Sequence, residues 1–216
     1  MAAVTLKTIT AKLANRHFTT AEVGAMFDMG TAEVNNLIDE IAPLRVAGAG
    51  GGRRAVSYRG LFAMLVAREL ITCQLTPAMR AQTLAEALKA KGKRVPVPGT
   101  NLELVVDSYR KQVNQGLRLL YEAEAAVEGR SDVMQGEPCI KGTRVPAYVI
   151  GAIARSRGVD EALATYPFLQ KRQVSLAQMF ATAHPRKGRP KRIVIPMEGR
   201  LISQKVIRRK KPRAGA

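Results

Sequence analysis

Eleven residues, Gly136-Glu-Pro-Cys-Ile-Lys-Gly-Thr-Arg-Val-Pro146, leave the backbone few options. Gly136 and Gly142 open backbone angles closed to other residues, while Pro138 and Pro146 fix φ and remove hydrogen-bond donors. Ile140 and Val145 between them suit short extended pairing. The pattern predicts a small hairpin: Cys139-Ile140 leads out, Lys141-Gly142 turns, and Arg144-Val145 returns. Pro146 is placed to open a helix. Lys141 and Arg144 then stand at a basic tip, either as phosphate contacts or as a solvated pair.

Helical patterns follow over 147–157, ending near Gly158, and over 171–183, where Val174, Met179, Phe180 and Ala183 are available for a core. A short piece at 160–165 and the Tyr166-Pro167 turn join them, so the two helices make a second helix-turn-helix. The last helix starts at Gln170-Lys171-Arg172-Gln173, without a capping hydroxyl. Two cations at the positive end of a helix dipole cost stability unless an anion is present. Lys171 and Arg172 therefore join Lys141 and Arg144 as expected phosphate contacts, with a solvated cluster as the competing reading.

The stretch from Gly136 to Pro146, with Tyr166-Pro167 downstream, resembles a small bacterial family with a G-x-P-x-I-x-G-T-R-x-P signature. That family is associated with VapB-like antitoxins and is often encoded beside a PIN-like nuclease toxin. The resembling part covers residues 131–184 of 216. The family usually starts its last helix with a capping hydroxyl and acidic residues, and the Gln170 start departs from that. The resemblance implies neutralisation of a PIN-like endoribonuclease and repression of the shared promoter.

The first 92 residues carry a different pattern. Thr20 is placed as an N-cap, with Glu22 in the first turn. Val23, Met26 and Phe27 form one apolar face, and Asp28-Met29-Gly30 supplies a sharp turn. Thr31 caps a second helix whose Val34, Leu37, Ile38 and Ile41 face inward. Ala32, Glu33, Asn35 and Asn36 are left outward near its beginning. In a helix-turn-helix the second helix enters the major groove by its N-terminal part, and Asn can pair bidentately with adenine. An ordinary αα-hairpin with solvated asparagines competes with this. Residues 44–46 as a strand, 47–52 as a glycine-rich tip and 53–58 as the returning strand turn the segment into a winged helix. This order, with the helix expected over 61–71, resembles the MerR-like winged helix-turn-helix. The glycines do not fit a phosphate-cradling loop: Arg53 stands where a third Gly is needed, and no Gly-Lys-Ser/Thr follows. Arg53 and Arg54 suit phosphate or minor-groove contact.

Thr76-Pro77 opens a helix over 78–91, which Gly92 ends. Residues 93–100, with Pro96 and Pro98, read as a linker, 102–106 as a strand, and 107–128 as a long helix. Its stripe of Val113, Leu117, Leu120 and Val127 serves either a core or a dimer interface.

The net charge is +18, and residues 186–216 hold 12 Lys/Arg against Glu198, so +11 of it sits there. A protein with this balance meets a polyanion. Ile193, Ile195, Leu201, Ile202 and Ile207 are apolar anchors in that cationic segment, which cannot bury enough surface to fold alone. On the antitoxin resemblance they dock on the toxin, while Arg200, Lys205, Arg208 and Arg209 complement the carboxylate-lined hollow of a PIN-like nuclease.

No apolar run approaches a transmembrane length, and the first residues lack the apolar core of a secretory signal. A cytoplasmic, nucleoid-associated location is expected. Cys73, Cys139, His17 and His184 have no metal-ligand spacing, so neither metal nor cofactor is expected. No nucleophile–base arrangement points to an enzyme. Scarce aromatics disfavour a single-strand RNA platform. The expected fold is mainly α with small β-hairpins. It comprises a winged helix-turn-helix over 1–92, then a linker, strand and long helix over 93–130. A signature helical domain over 131–185 and an extended basic tail over 186–216 complete it. The expected partners are a PIN-like ribonuclease toxin, double-stranded promoter DNA and a second copy of the chain, within a higher toxin–antitoxin assembly. A stand-alone MerR-like transcriptional regulator is the alternative.

Overall fold

Thr19 ends a strand and starts a helix. In the computed structural model, strand β1 (His17–Thr19) buries Phe18, and helix α1 (Thr20–Phe27) follows without a break. Thr19 Oγ1 accepts from the Glu22 amide at 3.3 Å, and the Glu22 carboxylate accepts from the Thr19 amide at 2.7 Å. The cap therefore lies one residue before the expected Thr20, because Glu22 stands at the third helical position only if Thr19 is the cap. The structure describes residues 16–41, 47–50, 53–90, 92–132 and 134–186. Among these it is mainly helical, with eight α-helices and small antiparallel sheets.

Asp28 takes left-handed angles to end α1, and Met29 N–H bonds back to Gly24 C=O at 3.0 Å. A Cβ on Gly24 would lie 2.7 Å from that Met29 carbonyl oxygen, so only glycine admits the turn. Helix α2 (Thr31–Ile41) buries Val34, Leu37, Ile38 and Ile41, the expected inward set. Strand β3 (Arg53–Ser57) is central in a sheet of order β1-β3-β2, where β2 is Ala47–Gly50. Phe18 faces Val56 across one pair, and Gly50 faces Arg53 across the other. The expected tip over 47–52 is thus corrected: its first four residues are strand, because paired backbone needs no side chain. The expected strand at 44–46 lies outside the described residues. The β1 pairing was not expected at all.

Helix α3 (Tyr58–Thr72) begins earlier than 61 because Ser57 Oγ accepts from Gly60 N–H at 3.1 Å. Helix α4 (Pro77–Lys89) is capped by Thr76 as read from the sequence. The expected linker over 93–100 is a hairpin instead. Strand β4 (Arg94–Pro96) pairs with β5 (Glu103–Val105), Val95 opposite Leu104, both buried. Pro96 is tolerated because both strands of this two-stranded sheet are edges.

Helix α5 (Val106–Ala125) buries Val113, Gly116, Leu117, Leu120 and Ala123. This stripe lies in an intramolecular core with Phe18, Val34, Leu61 and Met64. Val127 does not belong to it, correcting the helix expected over 107–128. It leaves the helix for β6 (Val127–Glu128), which pairs with β7 (Cys139–Ile140). Helices α6 (Ala147–Arg157), α7 (Val159–Thr165) and α8 (Lys171–Ala183) build a second core around Ile140, Ile150, Ile153 and Val174. Pro146 caps α6 rather than opening it. A Cβ on Gly151 would come within 2.6 Å of Ala181 Cβ, so α6 and α8 touch backbone to backbone there. Helix α8 also packs on α1 and α5, and its Ala183 joins the first core. The two cores thus share one helix.

Candidate nucleic-acid interface

Helix α2 keeps its polar residues near its start. Thr31, Ala32 and Asn36 are exposed, whereas Asn35 is half-buried. Glu33 is turned onto Arg68 of α3 at 2.8 Å. Arg54, on β3, bonds Asp39 at 2.9 Å and donates to the Asn35 carbonyl at 3.2 Å. The returning strand is thereby strapped to the helix beside its exposed face. Arg53 opens β3 opposite Gly50. An exposed pair such as Arg54–Asp39 contributes at most about 1 kcal/mol, so an incoming phosphate can replace the carboxylate.

The signature turn forms, but the expected return strand at Arg144-Val145 does not: Cys139–Ile140 pairs instead with β6 in a two-stranded sheet, and only Ile140 N–H reaches Val145 C=O, at 2.9 Å. Thr143 N–H bonds Ile140 C=O at 2.9 Å around Gly142, whose φ is +76. Positive φ at the third position of a turn is the type II requirement, met by glycine. Thr143 Oγ1 donates to the same carbonyl at 2.8 Å and accepts from Val145 N–H at 3.1 Å. Cys139 bridges Pro146 across the hairpin. Lys141 and Arg144 are exposed at the tip.

The end of α5 receives the Lys141 backbone and the Arg172 side chain. Lys141 N–H bonds Ala126 C=O at 2.9 Å, and Arg172 pairs with Glu122. Lys171, also exposed, precedes Arg172 at the start of α8. Glu122 is the anion that the cationic helix start required, and it also holds Arg118 at 2.9 Å. The expected lack of a cap is partly made good, since Gln173 Oε1 accepts from Gln170 N–H at 2.8 Å. Lys141 and Arg172 therefore approach one end of α5, with Arg144 and Lys171 as their neighbours, whereas Thr31, Asn35, Asn36, Arg53 and Arg54 belong to α2 and β3.

A cleft of about 1060 Å³ separates the two cores on one side. Asn35 and Arg54 line one wall. Met134, Gln135 and Gly136, all with positive φ, line another. Arg186 also lines it, paired with Glu137 and stacked over Tyr148 at 4.5 Å. Tyr148 Oη donates to His184 C=O at 2.8 Å, and burial raises the phenol above its ordinary range.

Beside this cleft lies a charged cluster absent from the sequence reading. Arg16 pairs with Glu22 and bonds Glu124 through two nitrogens, at 2.8 and 3.1 Å. His184 Nε2 lies 3.3 Å from the same Glu124 carboxylate. Burial alone would raise Glu124, but hydrogen bonds from His184 and Arg16, with their charges, outweigh it and hold the carboxyl at about 2. The Glu124 bond likewise raises Arg16 above its ordinary value. Glu22, Glu124 and His184 offer ligand atoms within 4.8 Å of one another. Arg16 lies across both carboxylates, so a guanidinium already supplies the charge a metal would bring. The Thr-x-x-Glu spacing was visible at Thr19, but nothing local links Glu22 to Glu124.

Residues 127–181 match the family described as "Protein of unknown function (DUF433)". The matched segment starts at β6, four residues before the 131 expected from the signature. That start coincides with the strand in which Val127 and Glu128 pair with Cys139–Ile140. The chain is also similar to "Uncharacterized protein y4eO" of Sinorhizobium fredii (strain NBRC 101917 / NGR234), 27% identical over 210 residues. That alignment covers 88% of this chain and 93% of the relative, so the similarity extends beyond the segment that matches DUF433. No solved structure matches the chain. No helix among the described residues is long and apolar enough to cross a membrane.

Proposed function

We propose that this protein is an antitoxin that binds its own promoter as a homodimer and neutralises a PIN-like endoribonuclease. The N-terminal module is read as a winged helix-turn-helix of MerR-like type. The observation that carries this is the strap from Arg54 to Asn35 and Asp39. It fixes the returning strand of a hairpin beside a helix whose Thr31, Ala32 and Asn36 are exposed. On a chain of net charge +18 such a surface suits DNA. Asn36 reads a base edge, Arg53 and Arg54 hold phosphates, and Lys141, Arg144, Lys171 and Arg172 add backbone contacts. The cationic segment from 186 onward, with anchors Ile193, Ile195, Leu201, Ile202 and Ile207, engages the acidic nuclease. Binding of its own promoter fragment and of random-sequence DNA, measured by gel shift over a salt series, tests the first half. Selective binding is expected, and equal affinity at every salt overturns it. Co-expression with the adjacent reading frame tests the second half. Rescue of growth from a nuclease encoded there is expected, and no rescue overturns it.

The cleft favours a second reading. About 1060 Å³ matches the size of small-molecule sites, as a stand-alone MerR-like regulator requires. A metabolite that changes promoter affinity without any nuclease partner would decide for that reading.

A further inference from the structure

The charges around the cleft are not equally committed. Glu22 and Glu137 are the carboxylates in its lining. Each is already held by a guanidinium, Glu22 by Arg16 and Glu137 by Arg186. Arg54 reaches the cleft from β3 with a weaker hold. Its ion-pair partner, Asp39, stands outside the lining with its side chain 63% exposed, and its other bond goes to the Asn35 carbonyl. A pair so open to water adds little to stability, so a second anion can take the place of Asp39. Apolar surface lies in the same cleft. Met134, 51% exposed, lines it with Pro138 and Pro185. Apolar walls with a few polar groups that fix orientation are the make-up of a small-molecule site.

From this juxtaposition we infer that the cleft binds an organic anion, a carboxylate or phosphate ester with an apolar body, whose head replaces Asp39 on Arg54. The body lies against Met134, Pro138 and Pro185. This rests on the ligand-sensing reading of the cleft given above, and it names the class of ligand and the residue that selects it. Arg54 also straps β3 to α2. A head group that draws Arg54 into the cleft loosens that strap, so occupancy of the cleft and the exposed face of α2 are coupled.

The test titrates the full chain, by calorimetry at low salt, with benzoate, phenyl phosphate, uncharged benzyl alcohol and inorganic phosphate. At least one of the two aromatic anions is expected to saturate a single site about 10-fold more tightly than benzyl alcohol, the gain of a hydrogen bond to a charged group. The tighter of the two names the head group. Inorganic phosphate, which has no apolar body, is expected to bind more weakly than phenyl phosphate. Arg54→Gln should lower affinity for the anion about 10-fold and leave benzyl alcohol unchanged. Asp39→Asn removes the competing carboxylate and should strengthen the anion several-fold. That variant keeps the inference falsifiable should Arg54→Gln fail to fold. Equal binding of charged and uncharged probes overturns the inference, as does anion affinity unchanged in either folded variant. Failure of both aromatic anions to saturate up to about 10 mM overturns it too. An anion that binds as expected yet leaves promoter affinity unchanged fails the ligand-sensing reading instead, which separates the two failures.

Discussion

Glu124 receives two guanidinium nitrogens of Arg16, a residue 108 positions earlier in the chain, at 2.8 and 3.1 Å. The same carboxylate lies 3.3 Å from His184. The start of the first core, the end of α5 and the root of the basic segment thus meet at one side chain.

This meeting point predicts an acid-sensitive contribution to stability. Glu124 is depressed from 4.5 to about 2 in the folded protein. A depressed carboxylate stabilises the fold fully above its unfolded value, and that contribution is lost as pH falls through the folded one. Glu124→Gln should cost on the order of 2 kcal/mol at pH 7, discounted for partial exposure. The gap between wild type and variant should shrink below about pH 4.5 and vanish near 2. Urea melts across that range check it, and a gap independent of pH would contradict the assignment.

On the proposed DNA surface, Asn36→Ala should reduce discrimination between promoter and random DNA by about 1–3 kcal/mol. Asn35→Ala should cost less discrimination, because Asn35 is half-buried and turned to the cleft. Replacing Arg53 and Arg54 should weaken all sequences alike and flatten the salt dependence. Competition gel shifts with paired probes separate these outcomes.

Around the end of α5, Lys141, Arg144 and Lys171 changed together to Ala should lower affinity for all DNA while the fold is kept. Arg172→Ala should behave differently, since it releases Glu122 and loosens α8 from α5. A fall in melting temperature is expected for Arg172→Ala alone, read by circular dichroism beside anisotropy titrations.

Where α6 meets α8, Gly151→Ala should destabilise by about 1–3 kcal/mol, since the added Cβ lies 2.6 Å from Ala181 Cβ. Ala181→Gly in the same chain should recover part of the loss. Additive destabilisation in the double variant would show that the two positions do not share the contact.

In the basic segment, Ser at Ile193, Ile195, Ile202 and Ile207 keeps every charge and removes the apolar anchors. On the proposed antitoxin function, neutralisation of the nuclease should be lost, while promoter affinity and its salt slope stay unchanged. Growth rescue and gel shifts on the same variant report the two sides, and retained rescue would remove the anchors from the interface.

The sequence by itself determined the helices whose signals are local. The apolar period of α2, the Thr76-Pro77 start of α4 and the Gly158 end of α6 each depend on residues within a turn or two. The turn at Gly142 was legible for the same reason, since backbone angles are a property of the residue itself. Tertiary structure decided the rest. Prolines at 96 and 98 read as a linker until Val95 found Leu104 across a hairpin. Val127 continued a helical stripe until Ile140 offered a strand. The cluster of Arg16, Glu22, Glu124 and His184 joins charges from distant parts of the chain. Single-chain periodicity contains no term for such pairings, because their free energy arises only when separate elements exclude water from one another.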